Sequence, residues 1–187
     1  NERRCSTFDE VIEEGRAMRA TGTGITGGDP MLDFDKTLEA IIALKNAFGD
    51  EHHIHCYTSI PIKPEQAIAL GEAGLDELRF HLLDLRLERY LESVNAADAS
   101  GICVGVELPA EPDKEEKLLA LLQELNNSPV QFLNLNELEI TVGNQENMDV
   151  RGFNLAGGIT AAAAGSSELG VKLRKAAKGM GFHVKFC

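Results

Sequence analysis

Apolar residues recur along this chain in two rhythms that take turns. One has helical spacing: Phe8, Val11, Ile12 and Met18; Leu38, Ile41, Ile42, Leu44 and Phe48; Leu87, Tyr90, Leu91 and Val94; Leu118, Leu119, Leu122 and Leu125. The other has the two-residue period of a half-buried strand and falls at 22–26, 52–60, 77–83, 102–108, 130–136 and 183–186. Local signals sharpen the helices. Thr7-x-x-Glu10 predicts a capping box opening a helix to about residue 20, and Asp113-x-x-Glu116 predicts a second. Asp33 or Asp35 caps the helix that Gly49 stops, and Pro64 opens a short helix to about residue 74. Residues 141–165, rich in Gly, Asn and Ala, are expected to be irregular before a last helix over 168–178.

Strands alternating with helices imply parallel strands joined by right-handed crossovers. In a plain doubly wound sheet such strands are apolar on both faces. Here only one face is apolar. Leu78, Phe80 and Leu82 oppose Glu77, Arg79 and His81. Val104, Val106 and Leu108 oppose Cys103, Gly105 and Glu107, and Ile54, Cys56 and Ile60 oppose His53, His55, Tyr57 and Ser59. Leu133 and Leu135 oppose Asn134 and Asn136, and Val184 and Phe186 oppose His183 and Lys185. One set of faces can take the helices while the other turns to a shared polar interior. The fold class expected is therefore α/β, a partial (βα)6 TIM-like barrel of parallel strands with helices outside, in a single domain over 1–187. A solvent-exposed open sheet is the alternative, but it leaves one side of a parallel sheet wet.

The 187 residues suffice for one core, and 43% hydrophobic with 26% charged residues is ordinary for a globular protein. A net charge of −12 argues against a nucleic-acid-binding surface, and the absence of Trp argues against base stacking. No apolar run approaches a membrane span and no signal peptide opens the chain, so a cytoplasmic address is the default. Cysteines at 5, 56, 103 and 187 have no short spacing and do not resemble a disulfide scaffold. Cys56 falls on an apolar face as a small core residue, and Cys103 faces the polar interior, where packing and redox chemistry are both open. Without an initiator Met, and ending straight after a strand, the chain reads as a fragment of a longer protein.

The chemistry centres on residues 22–30, Gly-Thr-Gly-Ile-Thr-Gly-Gly-Asp-Pro. A strand runs into two glycines, which let backbone approach a ligand, then a carboxylate and a proline that ends the strand. In a parallel α/β protein, ligands bind at that end of the strands. A tight strand-to-helix turn without a ligand is the plain alternative.

This turn resembles the Gly-Gly-Glu-Pro motif of the radical S-adenosylmethionine (radical SAM) enzymes, with Asp29 for Glu. The stretches Tyr57-Thr-Ser-Ile-Pro61, Ala73-Gly-Leu-Asp-Glu-Leu-Arg-Phe-His81, Val104-Gly-Val-Glu-Leu-Pro109 and Asn134-Leu-Asn-Glu-Leu-Glu139 are similar to an archaeal branch of that superfamily related to pyruvate formate-lyase activating enzymes. The resemblance implies reductive cleavage of S-adenosylmethionine to a radical that abstracts a substrate hydrogen. Thr26, Gly27, Gly28, Asp29 and Pro30 would hold the methionine end of the cofactor. The family's 4Fe-4S cluster needs Cys-x3-Cys-x2-Cys, which this chain lacks; its ligands, and the first barrel strand, are expected upstream of residue 1, with no metal ligand in this chain. An electron donor such as ferredoxin or flavodoxin and a protein or small-molecule substrate, glycyl-radical proteins among them, are implied in the same way.

Strand parity adds further candidates. Arg79 can pair with the cofactor carboxylate, Glu107 and Asn136 can bind ribose hydroxyls or substrate, and His55 and His81 can act as acid–base groups. Each has a plainer alternative: a hydrogen-bonded structural histidine, an Arg79–Glu107 ion pair, or Asp29 as a turn cap. Two other functional readings stay open, a cluster-free barrel lyase or isomerase using Lys185 and a scaffold without catalysis.

Overall fold

The computed structural model describes residues 4–157 and 160–187. Its elements are α1 (Phe8–Met18), β1 (Gly22–Ile25), α2 (Phe34–Phe48), β2 (His53–Thr58), α3 (Pro64–Glu72), β3 (Glu77–Phe80), α4 (Leu91–Ala99), β4 (Cys103–Ala110), α5 (Glu115–Asn126), β5 (Phe132–Glu137), α6 (Gln145–Val150), α7 (Ser166–Ala176) and β6 (His183–Phe186). The strand order in the sheet is that of the chain, β1 to β6, and the registered pairs are parallel. The alternating α/β architecture expected of the sequence is what forms. No helix among the described residues is long and apolar enough to cross a membrane.

The chain divides into two compact units, 1–81 with 89–104, and 82–88 with 105–187. In the first, β1, β2 and β3 pair in register, with Gly22 and Gly24 opposite His53 and His55, and His55 and Tyr57 opposite Glu77 and Arg79. The strand faces separate as the period predicts: Ile54, Cys56, Leu78 and Phe80 are fully buried. His55, Tyr57, Glu77 and Arg79, on the other face, keep intermediate exposure. The Thr7 capping box forms, with Glu10 N–H donating to Thr7 Oγ1 at 3.3 Å and Thr7 N–H to Glu10 Oε2 at 3.3 Å. Lys45 on α2 ties the starts of β2 and β3 together. Its ammonium donates to the carbonyls of Asp50 and His52 and to Asp76 Oδ2 at 2.8 Å, while Ile54 N–H donates to the same Asp76 oxygen at 2.7 Å.

In the second unit, β5 pairs with β4 and β6, Leu133 and Leu135 are buried, and α7 packs on β5. Gly105 lies opposite Phe132, whose ring occupies the space a Cβ on that glycine would need. Two expectations are corrected here. Asp113 does not cap α5: a 3-10 turn over Pro112–Lys114 precedes that helix, its N-cap is Lys114, and no side chain caps it. The Asp113 carboxylate is instead taken by Arg151, from far along the chain. The 141–165 stretch is not irregular throughout. It carries α6, whose Met148 packs with Leu138, Ile140 and Ala163, and isolated bridges Glu139–Ala162 and Leu155–Ala163; residues 158 and 159 lie outside the described ones.

Candidate functional site

β1 ends at Ile25, and Thr26, Gly27 and Gly28 follow as exposed backbone. Gly27 has φ +96°, a conformation that strains any L side chain. A Cβ built at Gly27 or Gly28 would meet nothing within 4 Å, so the space beside both glycines is open. The turn also borders a cavity of about 410 Å³ lined by Phe8, Ile25, Asp33, Lys36, Thr37 and Ala40 as well as residues 26–30.

Asp29 anchors this open turn. Its Oδ1 accepts from Met31 N–H at 3.0 Å and Thr58 Oγ1 at 2.9 Å; its Oδ2 accepts from Ser59 N–H at 2.7 Å and Ser59 Oγ at 2.8 Å. A carboxylate offers about four lone-pair positions, and here each has a protein donor. Burial pushes the Asp29 carboxyl up, but the donors from Ser59, Thr58 and Met31 outweigh it and hold the group below its ordinary value. Asp29 is thus an ionised pin that joins the turn to the end of β2. Pro30 is fixed in turn by Thr37 Oγ1, which donates to its carbonyl at 2.8 Å. Thr58 and Ser59 were missed as anchoring residues in the sequence. The signal available was a hydroxyl pair directly after Tyr57, at the same strand end as the glycine turn.

Along the polar face of β2 and β3, Arg79 is engaged on two sides. Its Nε donates to Glu77, its Nη1 donates to Tyr57 Oη at 2.6 Å, and its guanidinium lies 5.1 Å from the Tyr57 ring centroid. His55 stands edge-on to Tyr57, with ring centroids 5.4 Å apart. His81 follows β3, exposed, with its backbone N–H donating to Thr58 O at 2.8 Å. Its backbone is therefore joined to β2 immediately before Ser59. Of the predicted candidates in this unit, residues 26–30 form one constellation; His55 and Arg79 meet through Tyr57 one step further down the strands.

Glu107 and Asn136 come together in the second unit with a third partner, Asn134. Asn134 Nδ2 donates to Glu107 Oε2 at 3.1 Å and Asn136 Nδ2 to Glu107 Oε1 at 3.0 Å. Lys185 is exposed on β6, opposite Asn134 in register. Nearby in sequence is a clamp no pattern announced. Arg151 donates from Nη2 to Glu111 and to Asp113 Oδ1 at 2.7 Å, and from Nε to Asp113 Oδ2 at 3.0 Å. The Asp113 hydrogen bonds raise the Arg151 guanidinium further above its usual range, against the opposing effect of burial. Lys114 Nζ adds a second cation at 2.8 Å from Glu111.

The four cysteines are free. Cys56 is wholly buried, and burial pushes its thiol up to about 12, with the Asp29 charge adding to the effect. The core role read for it holds. Cys103 is likewise raised, first by burial and then by Glu77. Among the described residues, the cysteines do not gather into a cluster-binding set.

No protein-family model matches the chain. It is 36% identical over 196 aligned positions to MJ0021 of the archaeon Methanocaldococcus jannaschii, a protein whose name assigns it provisionally as a glycyl-radical enzyme activating enzyme. That alignment takes in the whole chain and 52% of the relative, so the chain spans about half the length of the curated relative it matches. Its fold matches that of SuiB from Streptococcus suis, solved with S-adenosylmethionine bound, over 100% of this chain and 45% of that one, with TM-score 0.66 and 13% identity. The chain is thus similar to a protein named as a glycyl-radical enzyme activating enzyme, and it shares the fold of SuiB. Fold likeness reaches beyond it: 3-dehydroquinate dehydratase from Geobacillus kaustophilus aligns at TM-score 0.60 and 11% identity over 95% of this chain and 66% of that one. The same TIM-like partial barrel thus serves proteins of different chemistry, and the fold alone does not choose between them.

Proposed function

We propose that this chain is the cofactor-binding core of a radical SAM enzyme, with the turn at Thr26, Gly27 and Gly28 holding the methionine end of S-adenosylmethionine. The observation that carries the reading is the turn itself: an open, left-handed glycine backbone at the end of β1, pinned by an ionised Asp29 whose donors are all neutral. A cofactor ammonium needs acceptors and negative potential. Carbonyls of the turn supply the acceptors. Asp29 supplies the potential and, through Thr58 and Ser59, the position. Its oxygens being already bonded, it acts as a positioning residue in place of the direct ligand the motif resemblance implies.

When bound and reduced, S-adenosylmethionine supplies a carbon radical able to remove a substrate hydrogen atom. The chain's own contribution is to orient the cofactor. Glu107, held by Asn134 and Asn136, is a carboxylate suited to ribose hydroxyls or to polar substrate groups, and His81, exposed after β3, is suited to proton exchange. The cysteines of this chain do not fit a 4Fe-4S cluster, so no electron-transfer step is assigned to its residues. The cluster, an electron donor such as ferredoxin or flavodoxin, a protein substrate of the glycyl-radical kind and a cytoplasmic setting are part of this proposal for the intact protein; of these, the relative's name supports the glycyl-radical substrate.

The test is S-adenosylmethionine binding and dithionite-driven release of 5′-deoxyadenosine by the intact gene product, purified and reconstituted without oxygen. We expect both in the wild type, and loss of both in Gly28→Val with the fold retained by circular dichroism. Absence of binding and cleavage in the reconstituted wild type would overturn the proposal.

A further inference from the structure

The opposite end of the same strands carries a group of side chains that cofactor binding leaves unused. His53 and His55, two residues apart on β2, share a face with Glu77 on β3. One ligand atom from each lies within 4.8 Å of the other two, and His53 Nε2 is 3.8 Å from Glu77 Oε2. We propose that these three residues form a binding site for a borderline divalent cation, Zn²⁺ or Fe²⁺ in character, at the N-terminal end of β2 and β3.

Three observations support it. The first is spacing. Metal–nitrogen and metal–carboxylate bonds of about 2.0–2.2 Å put neighbouring ligand atoms roughly 3.4 Å apart in a tetrahedral site, so rotamer adjustment alone closes the existing gap around an ion. The second is the neighbouring strand. The β1 residues in register with His53 and His55 are Gly22 and Gly24. A Cβ on Gly24 would come within 2.6 Å of His55 Nε2, and one on Gly22 within 2.7 Å of the His53 carbonyl. The His55 imidazole thus lies against bare backbone, and neither glycine puts a side chain beside the pair. The third is the support around the carboxylate. Arg79 donates to Glu77 Oε1 and is itself held by Tyr57, which fixes the carboxylate with Oε2 toward His53. Partners of this kind orient metal-binding carboxylates.

Two imidazoles and one carboxylate suit borderline cations and leave coordination positions open, whereas Mg²⁺ and Ca²⁺ prefer all-oxygen sets. The Arg79 charge beside Glu77 works against a cation and keeps the expected affinity moderate. The competing account is an ordinary surface ion pair between Glu77 and its neighbours.

The two accounts separate on the 187-residue chain freed of metal with a chelator and titrated with Co²⁺, read by its visible absorption, and with Zn²⁺, read by calorimetry. The site predicts one equivalent bound, with affinity falling at least about tenfold in each of His53→Gln, His55→Gln and Glu77→Gln, and unchanged in Cys103→Ser. Pulsed electron paramagnetic resonance of the Cu²⁺-loaded wild type needs no variant and should show two coupled imidazoles. Failure to bind Co²⁺ or Zn²⁺, binding insensitive to all three substitutions, or a Cu²⁺ spectrum with fewer than two imidazoles would each overturn the proposal.

Discussion

Asp29 and Glu111 are both carboxylates placed after a strand, β1 in one case and β4 in the other, and each has several donors. The donors differ in kind. Asp29 is held by two backbone N–H groups and two hydroxyls, all neutral. Glu111 is held by two cations, Arg151 and Lys114. Neutral donors stabilise the ionised form while leaving its charge in place; cations cancel it. The first arrangement keeps a fixed negative charge beside an open glycine turn, where a cationic ligand group can feel it. The second is a joint, tying α6 to the start of α5, with little charge left to act on anything else.

The largest expected effect that would break this contrast comes from Asp29→Ala. It removes the acceptor for four donors, which should cost about 1–3 kcal/mol of stability per buried donor left unpaired, and should lower S-adenosylmethionine affinity of the intact protein by roughly 100-fold. Glu111→Gln should leave that affinity within about twofold. Calorimetric titration of both variants decides it; equal losses would erase the distinction.

Next in size is a glycine pair. Gly27→Ala forces a side chain into φ +96°, and Gly152→Ala, beside Arg151, forces one into +76°. Each should cost about 1–2 kcal/mol in urea unfolding. Only Gly27→Ala should also weaken cofactor binding. A loss of binding in Gly152→Ala would show that the turn's effect is mere destabilisation.

The pH response sharpens the comparison further. The Asp29 carboxyl is lowered from 3.8 in the folded chain, so its contribution to stability is fully present above that value. It is lost as pH falls through the lower folded value. The stability difference between wild type and Asp29→Asn, followed by urea midpoint from about pH 7 to pH 3, should therefore hold steady and then shrink below about pH 4. A difference that survives undiminished to pH 3 would contradict the pinning role.

The smallest effect is expected from Arg151→Lys. It loses the two-pronged contact with Asp113 but keeps the charge, which should cost about 0.5–1 kcal/mol. The Arg151 side chain is 22% exposed and that of Asp113 39%, so about 0.5 M salt should narrow the difference. The Asp29 pin, with neutral partners, should be much less sensitive to salt.

The same contrast explains which features were legible in the sequence. The Thr7 capping box and the alternating strand faces depend on residues close in the chain, and both formed as their spacing predicts. The Asp113 box has the same local signature, yet Arg151 captures its acid from 38 residues away, a competitor no local pattern contains. Likewise the glycine turn was visible, but its anchoring by Thr58 and Ser59 is a 29- and 30-residue contact. The parity of β2 puts Thr58 on the helix-facing side, where it is 2% exposed, so the alternation of the strand does not mark it as a donor to the turn. α6 was hidden because its helical stretch is only six residues long and sits among turn formers. Its stability comes from Met148 reaching Leu138, Ile140 and Ala163.

Gly105 and Phe132 share one volume, the ring of one filling the place where the other has no side chain. Neither position can drift alone. Enlarging Gly105 demands a smaller partner, and shrinking Phe132 leaves a hole that only a bulkier residue at 105 would fill. Descendants of this chain are therefore expected to exchange bulk between these two sites in coupled steps, so that the pair would evolve as a single character.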